Sequence, residues 1–253
     1  MTDGPEPGGS PQAARGDPQR KDPWAHRRGE PRVFAFMWTL YLLGATVLTL
    51  VSLGLRDATT RESYRLSATL LIVVVMVGVA WLWPMTRLAQ SRPRGRASTA
   101  FLVDALIVLG PAQAIILPQW VLCGWSLRVT GGIMGLSMGW GVMVAGVLAT
   151  ALAGRDGAGP SVRSRAVWMA VLVAASLVGP FFGVVANGLG SRGDGVGPAA
   201  QPVFLLSSPF TGVVESIRRG EAGEPVAGPL LVTGLVTGVA GVALLGVSRA
   251  RGD

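Results

Sequence analysis

The amino-acid sequence predicts an all-α fold: a polytopic membrane helix bundle of about six transmembrane helices. Both ends are expected in the cytoplasm, with a short amphipathic helix before the last span. Three observations lead there. Only 14% of the 253 residues are charged and half are hydrophobic, whereas a soluble domain carries roughly 25% charged residues. Apolar runs of bilayer-spanning length recur along the chain. The lysines and arginines are distributed unevenly across the resulting topology, as the positive-inside rule requires.

Residues 1–32 are rich in proline, glycine and mixed charge and have almost nothing to bury, the composition of a disordered cytoplasmic tail. The membrane-proximal end, Trp24-Ala25-His26-Arg27-Arg28, suits either the headgroup interface or solvent. This polar stretch is too long for the n-region of a cleavable signal peptide. The transmembrane domain is expected over 33–248. Its first span, 33–55, has Trp38 and Tyr41 near the start, and the second, 66–85, contains the most apolar run, with Trp81, Trp83 and Pro84 marking an interfacial exit. A basic loop, 87–96, has no acid.

The third span, 101–125, is the stretch round which the others are expected to gather. It carries Asp104, Gln113 and Gln119 and is interrupted by Gly110-Pro111 and Pro118. Polar and helix-breaking residues at membrane depth need neighbouring segments to satisfy them. In the fourth span, 131–153, Gly131, Gly135 and Gly139 share one face and invite close backbone approach. The fifth, 166–188, contains Gly179-Pro180 and ends at Asn187. The sixth, 228–247, repeats a glycine pair at Gly234 and Gly238, and a short basic tail, 249–253, follows.

With the N-terminus inside, fifteen of the 22 Lys and Arg residues fall on the cytoplasmic side and seven outside. The two basic loops without balancing acids fall together on the inside. The same distribution explains the net charge of +8 without nucleic acid, since no compact basic domain with interleaved aromatics is present.

Between the last two spans, 203–219 is too short to cross the bilayer. Ser208-Pro209 reads as a helix start, with Ser at the N-cap and Pro at the first helical position. Phe210, Val213, Val214 and Ile217 then form an apolar face, Glu215, Arg218 and Arg219 look elsewhere, and Gly220 supplies the stop. The segment is expected on the outer side, as an interfacial helix, a re-entrant piece or a cover over the bundle.

The candidate intramembrane polar positions are Asp104, Gln113, Gln119 and Asn187. Asp104 is shallow, near a helix N-terminus. Gln113 and Gln119 suit hydrogen bonds between helices or across the gaps left by Pro111 and Pro118, and Asn187 suits a cap. Gly110-Pro111 and Gly179-Pro180 also hint at paired broken helices. Cys123 and His26 are the single cysteine and histidine, which leaves no internal disulfide and almost no means to build a His/Cys metal site. No Walker A stretch, nucleophile elbow, HExxH or cysteine pair occurs, so no enzyme activity, cofactor or metal is expected.

The topology of 33–247, with Ser208-Pro209-Phe210 ahead of the last helix, resembles the membrane subunit of ABC-2-type exporters. That resemblance implies a permease working with a separate ATPase subunit and with a second membrane subunit or a second copy of itself. The residues alone equally allow a non-transporting scaffold or assembly protein in a bacterial cytoplasmic membrane.

Overall fold

A computed structural model describes residues 31–54, 60–90, 97–153, 161–190, 205–223 and 227–250. The described residues form helices and their connecting turns, and six of these helices are long and apolar enough to cross a membrane. The expected disordered tail, 1–30, lies outside them.

Helix α1 is Pro31–Gly54. Helix α2, Arg61–Val77, begins at Thr60, whose side chain accepts the Ser63 N–H, with Glu62 in the first turn where the dipole favours an acid. It passes without a break through one π-helical turn, Gly78–Leu82, into α3, Trp83–Ala89. Pro84 has no N–H, so the Ala80 carbonyl loses its i+4 donor, while Trp83 N–H reaches back to Gly78 O. The 28-residue span Glu62–Ala89 is therefore ~42 Å long, well beyond a hydrocarbon core of about 30 Å. Trp83 is fully buried inside the bundle.

Helix α4, Ala97–Ile116, runs straight through Gly110-Pro111 and stops only at Leu117-Pro118. A single further turn, α5, Gln119–Leu122, completes the crossing. Helix α6 is Leu127–Leu152, capped by the Ser126 side chain on Val129 N–H. Helix α7, Val162–Gly190, likewise continues through Gly179-Pro180. The two Gly-Pro steps are thus not paired helix breaks. Helix α8 is Thr211–Glu221 and helix α9 is Ala227–Ala250.

The centre of the bundle is α6, not the 101–125 stretch: 72% of its apolar window is buried against 39% for the third span. Glycine explains why. Lipid tails are as apolar as leucine, so helices associate in a membrane through close packing rather than water exclusion. A Cβ at Gly139 or Gly146 would strike the backbone of α9 at Gly234 or Gly241, and one at Gly132 would meet Leu230 Cδ1 at 2.6 Å. Gly234 and Gly241 press back on the α6 backbone at Gly135 and Val142. The contacts advance together along both chains, so α6 and α9 run parallel, backbone against backbone. Gly131, expected in this face, has open space round it, and its neighbour Gly132 takes the contact.

Pairs with opposite order fix the other helices. Trp38 packs on Gly78 of the π turn and donates from Nε1 to Val108 O at 3.1 Å, and Tyr41 OH donates to Val74 O at 2.7 Å. One turn before Trp38, near the start of α1, Phe34 covers Arg87, while Arg249 at the end of α9 donates to Ser98 at the start of α4. Both ends of the bundle's chain therefore lie on one side, as six crossings require. The core divides along the helix axes into a cluster around Trp83, Phe101, Val108 and Leu148 and another around Ile72, Ile116, Ile133 and Val213.

Candidate functional site

Helix α8 is the one described helix of any length that does not cross. Gly212 lies against Leu136 of α6, and Gly220 lies against Val129. The order is reversed, so α8 climbs alongside α6 toward the end where α6 begins. Leu136 is nine residues along α6, which puts the lower end of α8 ~14 Å into that helix. Just before it, Leu205 packs on Gly183 of α7, and the Phe210 ring meets Trp81 of the π turn edge-on at 4.9 Å between centroids. Trp81 Nε1 in turn donates to Ser176 Oγ of α7 at 3.0 Å. Segment 205–221 thus packs into the side of the bundle, against α6, α7 and the π turn.

At membrane depth a turn must satisfy its own backbone. Ser208 Oγ accepts Phe210 N–H at 3.3 Å, Ser208 O accepts Gly212 N–H at 3.0 Å, and Thr211 Oγ1 donates to Leu205 O at 2.6 Å. Pro209 has no N–H to satisfy. Ser216 Oγ donates to Gly212 O. The helix begins at Thr211 with Phe210 as N-cap, two residues later than Ser208-Pro209 predicts. It ends at Glu221, and Gly223, with φ of 75°, makes the turn that Gly220 was expected to make. The buried face is Val213, Ser216 and Ile217, with Phe210 half-buried; Val214 is exposed.

Glu215 corrects the expectation that it faces away. It is buried, and it accepts both arms of Arg218, at 2.9 and 2.7 Å, and Arg219 Nε at 2.6 Å. The Arg218 hydrogen bonds, supported by Arg219 and opposed by desolvation, hold its carboxyl below the usual carboxylate range. Above it, Arg65 Nε donates to Cys123 O at 2.8 Å and Nη1 to Glu221 Oε1 at 3.3 Å, joining α2, the α5–α6 connection and α8. Gln119 lies beneath, accepting from Tyr64 OH at 3.4 Å and donating to Ile115 O at 3.0 Å.

Asp104 belongs to the other end. It is buried and takes Arg87 Nη2 at 2.5 Å, while Arg87 Nη1 donates to Gln90 Oε1 at 2.6 Å and its guanidinium sits 4.3 Å from the Phe34 ring centroid. Arg87 is therefore a helical core residue and not part of a solvated loop. Gln113 stands between the two ends, donating to Ser137 Oγ at 2.7 Å, and its Oε1 has no partner. Nearby on α6, the buried Trp140 Nε1 is also unpartnered. Asn187 is in α7, but its side chain lies outside the described residues.

Asp104, Gln113 and Gln119 thus do not converge. They are spread over fifteen residues of one crossing, ~22 Å of helix. Sequence reasoning missed Arg65, Arg87, Glu215 and Glu221 as partners. Its usable signal was charge pairing between segments, as each of these acids has an arginine on a neighbouring helix or one turn away. Among the described residues no group of three or more His, Cys, Asp or Glu side chains is placed to hold a metal. No family model matches the chain, and comparison with curated proteins and with solved structures found no match.

Proposed function

We propose that this multi-pass membrane protein is the permease-like membrane subunit of an ATP-driven transporter, of the ABC-2 type its topology resembles. It would sit in a bacterial cytoplasmic membrane with a separate ATPase and a second copy or a related membrane subunit. One observation carries the reading: a short helix between the fifth and sixth candidate spans, packed into the bundle against α2, α6 and α7, which we read as re-entrant. A helix that dips to mid-membrane and returns can move relative to its neighbours without unthreading a span. Charged side chains stand only near the two ends of the described bundle, with neutral amides and hydroxyls between, so a proton relay among the described residues has no carriers at mid-depth. An external energy source fits that arrangement. Purification of the full chain in mild detergent tests it. A nucleotide-binding subunit is expected to co-purify, and recovery of the chain with neither such a subunit nor a second membrane subunit overturns the reading.

The pairing of Asp104 and the saturation of Gln119 favour a second reading, a non-transporting scaffold. Gln113→Leu separates the two. Loss of function at normal expression and folding supports the permease, and unchanged function supports the scaffold.

A further inference from the structure

The positive-inside rule disfavours arginine on the outer side, yet seven fall there, and the fold gathers four of them round the upper end of α8. Arg65 is in the second turn of α2 and bonded to Glu221. Arg218 and Arg219 are in the last turn of α8. Gly220 packs on Val129, which brings in the neighbouring Arg128 at the start of α6. Two carboxylates answer them: Glu215 takes Arg218 and Arg219, and Glu221 takes Arg65. Arg61 and Glu62 in the first turn of α2 add one charge of each sign. The cluster keeps two positive charges in excess, and Arg128 is exposed and makes no hydrogen bond or ion pair among the described residues.

The level of the cluster says what it meets. Arg65 lies 22 residues along the crossing from Arg87, ~33 Å, close to the thickness of a hydrocarbon core, so both stand at headgroup level. The Arg218 side chain is 67% exposed there. Guanidinium forks at a membrane surface match the oxygens of a phosphodiester, bidentately and at fixed geometry. We propose that Arg65, Arg128, Arg218 and Arg219 form a binding site for the phosphate headgroup of an anionic glycerophospholipid, at the point where the re-entrant helix reaches the interface. The proposal stands whether the chain transports or not.

Native mass spectrometry of the full chain from mixed micelles of phosphatidylglycerol and phosphatidylcholine tests it. The wild-type chain retains phosphatidylglycerol preferentially. Arg128→Gln, which removes no internal bond, weakens that preference about fivefold, the effect of one guanidinium at a charged surface, and Arg128→Gln/Arg218→Gln weakens it further. Arg163→Gln at the opposite end leaves it unchanged. Equal retention of the two lipids, or an Arg128→Gln chain as selective as wild type, overturns the proposal. Inorganic phosphate abolishing the selectivity would point to a soluble phosphate ligand and overturn the lipid assignment.

Discussion

Removing the carboxylate from the Arg87–Asp104 pair is expected to cost more than removing the pair. The two side chains are 8% and 4% exposed, and the Arg87 Nε is already without a partner. Asp104→Leu leaves a guanidinium whose remaining partners are Gln90 Oε1 and the Phe34 ring. Stripping one member from a buried pair costs about 3–5 kcal/mol. The ring returns roughly 1 kcal/mol, and Arg87, two residues from the end of α3, can lean toward the interface, so about 3 kcal/mol is expected. Arg87→Met leaves an unpaired carboxylate at a cost of about 2–3 kcal/mol. The double variant Arg87→Met/Asp104→Leu replaces charge by apolar volume and is expected within about 1 kcal/mol of wild type. The coupling is therefore on the order of 4 kcal/mol, far above the few tenths by which independent sites deviate from additivity. Reversible unfolding in mixed micelles, titrated with denaturing detergent, reads all four corners of this cycle. Costs for the two single variants that simply add, or an Asp104→Leu cost below about 1 kcal/mol, would refute the claim that the pair is mutually dependent.

Other outcomes follow from packing and depth. Gly139→Leu drives its side chain into the α9 backbone and should cost at least 3 kcal/mol, whereas Gly131→Ala, with open space round it, should fall within about 0.5 kcal/mol of wild type; the same unfolding assay compares them. Trp38→Phe loses the bond to Val108 O and part of a buried ring, so a loss of about 1–3 kcal/mol is expected, with intrinsic fluorescence reporting the change. On a Cys123→Ala background, single cysteines at Phe210, Val214 and Glu221 should react with a membrane-impermeant maleimide in rising order. Equal reactivity along α8 would place it flat on the surface. Gly195→Cys should be labelled in intact cells, and its protection would invert the topology.

The bundle was legible because membrane insertion leaves its signature in composition. Apolar length alone marks 33–55 and 228–247, whatever their neighbours do. Breaks were less legible. Pro111 and Pro180 look like Pro118 in sequence, yet the first two sit inside continuous helices. Glycine faces were half legible: spacing finds a candidate face, but which of two adjacent glycines meets α9 depends on helix rotation, so Gly132 displaced Gly131. Helix α8 was visible as a periodic segment, and its depth was not, because an apolar face suits a lipid interface and a protein interior alike. Glu215 escaped for a related reason. A carboxylate on an amphipathic helix reads as solvated until arginines one turn away, Arg218 and Arg219, are seen to enclose it.

The π turn at Gly78–Leu82 has a consequence for how the second crossing can vary. One surplus residue is accommodated there, and it rotates everything beyond it by about 100° relative to a plain helix. Trp83 and Arg87 owe their inward bearing to that phase shift, while Tyr64 and Arg65 lie ahead of it. Deleting a single residue between Val77 and Trp83 should let the segment relax to ordinary winding while Trp83 and Arg87 keep the same inward bearing. Insertions or deletions elsewhere in the crossing have no such reserve of slack to draw on.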